Sequence, residues 1–465
     1  MQLGDILDDC TLDLVTGSIE IERVDVDSRE CEPGSLFFAM PGHARSGEQF
    51  VDEAIARGAA CVVASRSINV GVPVVVVPTS QMHALLAHAS ASITGHPELG
   101  VQLVGVTGTN GKTSVTSLVS SLARSLKWNS ASMGTLTNER TTPAPPELFR
   151  TLAGIVRGYD PAIHHSVVAL EVSSHAIDQR RIEGIRFATV AFTNLSHDHL
   201  DYHHTMEEYF NAKAELFTVE HAQRAVIWTD DPFGVRIAAM TRLPVTSVSR
   251  DDVTEVELSL SGSTYFWRGH LVSTPLVGGY NVDNAVMAMT ILSVLGANDA
   301  DIASAMSDVT SVSGRFDVVR DSGITVVVDY AHTPEGLRRL LGDIRELSPL
   351  GRIITVFGCG GDRDTEKRPT MGRVATTLSA VTIVTSDNPR SESPEAIIDD
   401  IMGGVVQDAT VLRIVDRRGA IAQAFAIAHD GDVIVLAGKG HETTQIIGGS
   451  VLDFDDRVVA KEFLK

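Results

Sequence analysis

Residues 101–126 constrain the fold of this chain more than any other stretch. An apolar run, VQLVGVT, passes directly into a glycine-bearing loop made of Gly108, Thr109, Asn110, Gly111, Lys112, Thr113 and Ser114. The segment after it carries Val115, Leu118, Val119, Leu122, Ala123 and Leu126 at helical spacing, one apolar face of a helix. A strand that feeds a loop into a helix N-terminus points backbone N–H groups at an anion. Glycines let that backbone come close, and Lys112 adds a point charge for the outer phosphates. The stretch therefore predicts a parallel α/β sheet with a polyphosphate site at its edge. One position departs from the usual G-x-x-x-x-G-K-[ST] pattern: Val106 stands where its first glycine belongs, between Gly105 and Gly108.

The chain's 465 residues predict about three domains, each large enough to bury a core. Residues 1–97 hold short apolar runs (35–40, 61–64, 72–77) and end in a helix through Leu85 and Leu86. Residues 98–314 and 315–465 each read as alternating strands and helices of a parallel sheet. VQLVGVT, SVVALEV and FATVAFTNL are the strands of the first. ITVVVDY, GRIITVFG, AVTIVTS and GDVIVLAG are those of the second. A formal net charge of -21 excludes a general nucleic-acid binder and an anionic-membrane binder, so anionic ligands must be held locally. Cys10, Cys31, Cys61 and Cys359 form no C-x-x-C pair, which fits a reducing compartment. An acidic start and the lack of an apolar run of membrane length point to a cytoplasmic protein that does not insert into membranes.

Ligands of open parallel sheets gather beyond the carboxyl ends of the strands, so the residues just after each apolar run carry the chemistry. In the middle block these are Glu171, Ser173, Ser174 and His175, then Asn194, His197, Asp198, His199 and Asp201. Magnesium on ATP phosphates wants oxygen ligands, roles open to Thr113 and Glu171. A lone strand-end glutamate serves equally as a helix cap or an ion-pair partner. HDHLDYHH offers imidazoles for zinc, but without cysteine or tight tetrahedral spacing. In the last block Asp329, Tyr330 and His332 precede a helix capped by Thr333 and opened by Pro334, with Leu337, Leu340, Leu341, Ile344 and Leu347 as its stripe. GCGGDRDTEKRP, SDNPRSESP and AGKGHET then follow successive strands and converge on one side of the sheet. Their cations are Arg363, Lys367, Arg368 and Arg390, and their anions Asp362, Asp364, Asp387 and Glu442. Mixed charge suits a zwitterion, and it equally suits internal salt bridges.

GTNGKTS, EVSSHAIDQRRI, NLSHDHLDYH, NAKAELF, GGYNVDNAVMA, SGRFDVV, VVDYAHTPEGL, GCGGDRDTEKRP, DNPR and GKGHE, in this order, resemble the Mur ligases. VDSRECEPGSLFFAMPGHARSGEQF extends the resemblance to the N-terminal block. It implies a central P-loop ATPase domain flanked by an α/β UDP-binding domain and a Rossmann-like C-terminal domain. The implied reaction moves the γ-phosphoryl of ATP to the D-glutamate carboxylate of UDP-N-acetylmuramoyl-L-alanyl-D-glutamate, and the amine of meso-2,6-diaminopimelate attacks the acyl phosphate.

By resemblance Lys112, Glu171, His199 and Lys213 are catalytic. Thr113 and Glu171 hold one magnesium, and His199 with a CO2-carbamylated Lys213 holds a second. Read without it, Lys213 is an ordinary exposed helix lysine. Asn281, Asn284, Arg315 and Asp329 lie on the nucleotide side. Val26, Ser28, His43, Ala44 and Arg45 contact the UDP sugar, and Thr141, Thr142, Ser173, Gln179 and Arg181 the muramoyl peptide. Arg363, Asp387, Asn388, Pro389, Arg390, Gly438 and Glu442 take the amino acid, with the Arg390 fork matching the distal carboxylate that lysine lacks. The implied partners are these small molecules alone, bound by a monomer. Glu366 departs from the family's usual glycine and puts a negative charge beside the nucleotide or amino-acid side. The alternatives are a ligase adding L-lysine or another amino acid, and a non-catalytic nucleotide-gated binding protein. Folylpolyglutamate synthase shares the ATPase half, but not the N-terminal block or GKGHE.

Overall fold

The computed structural model of the chain describes residues 1–7, 14–42, 46–137, 140–321 and 323–464. Three main sheets succeed one another along it. The first pairs Arg23–Asp25, Ser35–Phe38, Ala59–Ala64 and Val74–Val76 in parallel and in sequence order. Alternate residues of Ser35–Phe38 face opposite sides, as the period of two demands. Leu36 and Phe38 pack with Met82, Leu85 and Leu86 of the helix Thr79–Thr94, while Phe37 packs with Val51, Ala54 and Val62.

The second sheet has six parallel strands in the order Val245–Val248, Ala225–Trp228, Thr189–Phe192, Gln102–Thr107, Ser166–Glu171, Asn129–Met133. The glycine-bearing strand lies between Ser166–Glu171 and Thr189–Phe192, so its loop opens where the chain departs to either side of the sheet, the crevice in which ligands gather. Its helix is Lys112–Ser125. Val115, Leu118, Val119, Leu122 and Ala123 are buried there against Val104, Val106 and the helix Gly279–Val294, each large side chain contributing roughly 1.5–3 kcal/mol. The same packing accounts for Val106, a fully buried strand residue: the strand runs on to Thr107, and the turn begins only at Gly108.

The parallel pattern expected up to residue 314 is interrupted. Val253–Ser259, Gly262–Trp267 and His270–Thr274 form an antiparallel meander. Its inward residues Tyr265, Trp267 and Val272 join the core under Gly279–Val294. The last sheet runs Asp317–Asp321, Ile324–Asp329, Val433–Ala437, Ile353–Phe357, Val381–Val384, Val411–Arg413, and only its first strand is antiparallel. Four of the neighbouring strands end at Asp329, Ala437, Phe357 and Val384, which brings the expected loops together. Thr333 accepts from the Gly336 N–H to cap Pro334–Leu347. A hairpin, Thr444–Ile447 with Ser450–Asp453, follows the last central strand. Among the described residues no helix is long and apolar enough to cross a membrane.

Candidate active site between the second and third sheets

Gly108 has a φ of +148°, and a Cβ there would fall 1.9 Å from Thr193 Oγ1, so the loop backbone closes to a distance only glycine permits. Lys112 curls back over this loop, donating from Nζ to the carbonyls of Gly108 at 2.8 Å and Thr109 at 2.9 Å. Burial lowers its pKa while Glu171 and Asp198 oppose the shift. Thr113 Oγ1 donates to Glu171 Oε2 at 2.9 Å, and the Thr135 N–H donates to Glu171 Oε1 at 2.9 Å. A hydroxyl and a carboxylate side by side are the oxygen donors a hard cation takes, so this pair fits magnesium.

Asn110, Gly111, Ser114, Asn284, Arg315 and Asp329 line an open cleft between the two sheets. Arg315 crosses it, with one guanidinium nitrogen 3.4 Å from Thr113 Oγ1. Burial raises the pKa of Asp329, which accepts from Tyr280 Oη and from the Phe316 N–H, both at 2.8 Å. Asn281 does not line the cleft; its amide donates to the Val277 carbonyl at 2.8 Å.

Lys213 corrects the reading of an exposed lysine. It is 1 % exposed on the helix Met206–Ala214, donating to the Gly108 carbonyl at 3.0 Å, with Nζ 4.7 Å from the Tyr209 ring centre. Burial, reinforced by the nearby Lys112 ammonium, pushes its pKa well below the lysine range against the pull of Asp198. A neutral amine is the form that attacks CO2, and the carbamate would replace a repelling cation with anionic oxygens. His199, in the left-handed region at φ 57°, lies 4.9 Å from His175 between ring centres. Burial lowers its pKa to about 3 despite Asp198, leaving the neutral imidazole that ligates metals. Next to it, burial opposes the charge of Asp198, but Lys367 at 3.0 Å and His332 at 3.7 Å hold its pKa well below the carboxylate range. Both partners come from the third-sheet side of the cleft. Among the described residues no three His, Cys, Asp or Glu side chains gather in a metal-holding group.

Thr142, Ser173, Gln179 and Arg181 form one network beside Glu171. Thr142 Oγ1 donates to the Glu171 carbonyl at 2.8 Å and accepts from the Ser173 N–H at 3.2 Å, while Arg181 donates to the Thr142 carbonyl at 3.0 Å and to Gln179 at 2.5 Å. Thr141 joins through Thr135, hydroxyl to hydroxyl at 3.1 Å. In the first sheet Ser28 donates to Glu53 at 2.6 Å, and Val26 is partly buried against that domain's core. His43, Ala44 and Arg45 lie outside the described residues.

At the converging loops, Asp387, Asn388, Pro389 and Arg390 lie against Gly438 and Glu442. Asn388 Nδ2 donates to Glu442 Oε2 at 2.7 Å, and a Cβ on Gly438 would meet Asp387 Oδ2 at 3.0 Å. Pro389 packs its carbonyl onto Gly361. Arg390 donates to the Gly361 carbonyl at 2.6 Å; Arg363 is exposed, and burial lowers the pKa of His175 with Asp201 opposing and Arg181 and Arg363 adding to the shift. The other cations of these loops do not face a ligand. Arg368 is spent on Glu392 and Asp400, both at 2.9 Å, and Lys367 on Asp198. Glu366 is exposed at the start of the helix Lys367–Leu378, where a carboxylate suits the helix dipole. Tyr330 links the two halves: Arg315 lies 4.4 Å from its ring centre, and the His441 ring lies 5.0 Å from it, next to Glu442.

Sequence reading overlooked Trp228, Tyr280, Asp283 and Met287 of the cleft lining, and Lys439 of the converging loops. Tyr280 and Asp283 flank the chosen asparagines in GGYNVDNAVMA, and Lys439 lies inside GKGHE, so motif membership was the available signal. Tyr209 precedes Lys213 by four positions, the spacing that stacks side chains on one helix face.

Three family profiles match the chain: "Mur ligase family, catalytic domain" over residues 20–98, "Mur ligase middle domain" over 106–292 and "Mur ligase, glutamate ligase domain" over 314–440. The UDP-N-acetylmuramoyl-L-alanyl-D-glutamate--2,6-diaminopimelate ligase of Gloeobacter violaceus is 42% identical over 469 residues, 96% of this chain and 94% of that protein. The protein of the same name from Geobacillus kaustophilus is 40% identical, covering 97% and 96%. A solved structure bearing that name superposes with a TM-score of 0.68 at 31% identity, covering 100% of this chain and 98% of its own.

Proposed function

The chain belongs to the Mur ligase family, and from that premise we propose that it is an ATP-dependent amide ligase joining meso-2,6-diaminopimelate to UDP-N-acetylmuramoyl-L-alanyl-D-glutamate, a step of peptidoglycan precursor synthesis. The observation that carries the reading is the shared gap: Arg315 touches both the P-loop threonine and Tyr330, whose ring meets the loop of Glu442. Triphosphate, activated carboxyl and incoming amine then meet without crossing solvent.

In this reading residues 98–314 bind ATP, residues 1–97 the uridine nucleotide through Val26 and Ser28, and residues 315–465 the amino acid. The loop N–H groups of residues 108–114 hold the phosphates, and Lys112 exchanges its carbonyl partners for the γ-phosphoryl oxygens as charge builds on them. Thr113 with Glu171 would hold one magnesium and His199 with a Lys213 carbamate a second, and the ions would supply neutralisation of phosphate charge. The carbamate forms when the Lys213 amine adds to CO2 and releases a proton. Thr142, Ser173, Gln179 and Arg181 orient the muramoyl peptide so that its D-glutamate carboxylate takes the phosphoryl group. The neutral amine then attacks the acyl carbon, the C–O bond to phosphate breaks with its electron pair passing to inorganic phosphate, the nitrogen gives up a proton, and an amide remains. Asp387 and Glu442 face the zwitterion's ammonium and Arg390 its distal carboxylate. The enzyme works as a cytoplasmic monomer.

The test is phosphate release from ATP in the presence of the UDP-muramoyl dipeptide with diaminopimelate, lysine or no amino acid. Release that is fastest with diaminopimelate and depends on the dipeptide is expected. Release without the dipeptide removes the ligase reading, and preference for lysine removes the role of Arg390.

A further inference from the structure

One fully buried cation holds the two loops of the acceptor pocket together. Lys439 Nζ donates to the Thr444 carbonyl at 2.6 Å, to Glu442 Oε2 at 3.3 Å and to Asn388 Oδ1 at 3.4 Å, and lies 3.6 Å from Asp387 Oδ1. Around it the loops are stitched directly. Gln445 Nε2 donates to the Asp387 carbonyl at 2.7 Å, the Ile446 N–H to Asn388 Oδ1 at 3.0 Å, and the Arg390 N–H to the Ile446 carbonyl at 3.0 Å. Arg390 itself sits at φ 53°, a left-handed backbone that a non-glycine residue keeps only when its surroundings hold it there.

We infer that Lys439 is a positioning residue for the incoming amino acid, clamping the 387–390 turn against the 438–446 segment so that Asp387, Glu442 and Arg390 face the ligand as one set. The inference rests on reading this site as the amino-acid pocket. Its electrostatic side follows from geometry. Two carboxylates converge on Lys439, Asp387 buried and Glu442 half-buried, and such a pair tends to share a proton unless a cation lies between them. Burial and Asp387 raise the pKa of Glu442, and Lys439 opposes both. The other charged or titratable groups bearing on Glu442 are Arg417, from the helix Arg417–Ile427, and Tyr330. Arg417 already pairs with Asp456 at 2.6 Å, which leaves Lys439 as the cation bonded to the acids themselves.

Full-length Lys439→Met, of similar length and no charge, is compared with wild type for the KM of all three substrates between pH 7 and 9. The expected result is a KM for diaminopimelate raised about tenfold or more at pH 7, with those for ATP and the UDP-dipeptide within about twofold of wild type. The defect should shrink towards pH 9 as the acid pair loses the proton it retains without the ammonium. A side chain that merely fills the core would move all three KM values together and show no such pH trend, and that outcome, or an unchanged KM for diaminopimelate, overturns the inference. Gln445→Met removes only the neutral tie to the Asp387 carbonyl. It is expected to raise the KM for diaminopimelate about threefold with no pH trend. If Lys439→Met does not fold, an unchanged KM in Gln445→Met overturns the clamp. A wild type that prefers lysine overturns the diaminopimelate reading alone, and the same comparison is then read with lysine. A wild type with no amino-acid-dependent turnover overturns both.

Discussion

In the proposed reaction, substrate choice is assigned to a single guanidinium. Arg390 uses one nitrogen on the Gly361 carbonyl at 2.6 Å, and the rest of its fork is available to a carboxylate. Arg390→Ala is expected to raise the KM for diaminopimelate about 30-fold or more, ~2 to 4 kcal/mol, by stranding the ligand's distal charge. Steady-state kinetics with an unchanged KM would remove the residue from the pocket. Lys213 offers a second test. Lys213→Ala is expected to cut kcat about 100-fold or more, with partial rescue by short-chain carboxylic acids, and wild-type activity is expected to fall in CO2-depleted buffer. Intact mass or 13C NMR after labelling with CO2 checks the adduct directly. Why Lys213 reads as exposed is physical. The helix Met206–Ala214 sets Lys213 on the buried face of Tyr209 and Phe210, but a lysine at such a position ordinarily reaches out to solvent, and what receives this amine is the Gly108 carbonyl, 105 positions earlier in the chain. Arg390 and Glu442 were legible because glycine, proline and charge mark strand-end loops, whereas the internal pairing of Arg368 depends on Asp400, a partner on another helix.

Elements meet at their ends. Asp343, on the helix Pro334–Leu347, accepts from the Tyr280 N–H at 3.1 Å and so caps the helix Gly279–Val294 from across the interdomain joint. Burial raises its pKa to about 6, against the N–H groups of Tyr280 and Gly279. A carboxyl whose folded pKa exceeds its unfolded one stabilises most below the unfolded value and loses that contribution as pH rises through the folded one. The melting temperature of wild type relative to Asp343→Asn is therefore expected to fall between about pH 4 and pH 6 and to stay level above. A flat difference across that window would overturn the raised pKa of Asp343. The buried pair of Arg417 and Asp456 joins the starts of two other helices, and Asp456→Ala is expected to cost the C-terminal domain about 3–5 kcal/mol in denaturant melts, because it strands a buried cation. Strands and helices around the P-loop were readable from apolar period alone. The meander at 253–274 was not: its inward residues alternate, but the flanking helices set a parallel expectation that local alternation could not outweigh.

At the scale of the whole molecule, the third sheet is fastened over the P-loop by charge as well as by chain. Lys367 reaches Asp198 at 3.0 Å, and Arg315 reaches Thr113 at 3.4 Å. Lys367→Met is expected to lower kcat about tenfold while leaving the KM for the UDP-dipeptide unchanged, since the first sheet takes no part in these contacts. Small-angle scattering with nucleotide bound should then show a larger radius of gyration than wild type, and equal radii would release Lys367 from that task. Gly314 has φ +69°, and a Cβ there would fall 2.1 Å from the backbone of Gly440. The linker entering the last domain is thus seated bare peptide against bare peptide on the loop that precedes Glu442. Anyone grafting a relative's final domain onto this chain must cut before that seat: a splice placed downstream would press one protein's linker against another's loop, and two bare backbones shaped for each other would no longer be matched.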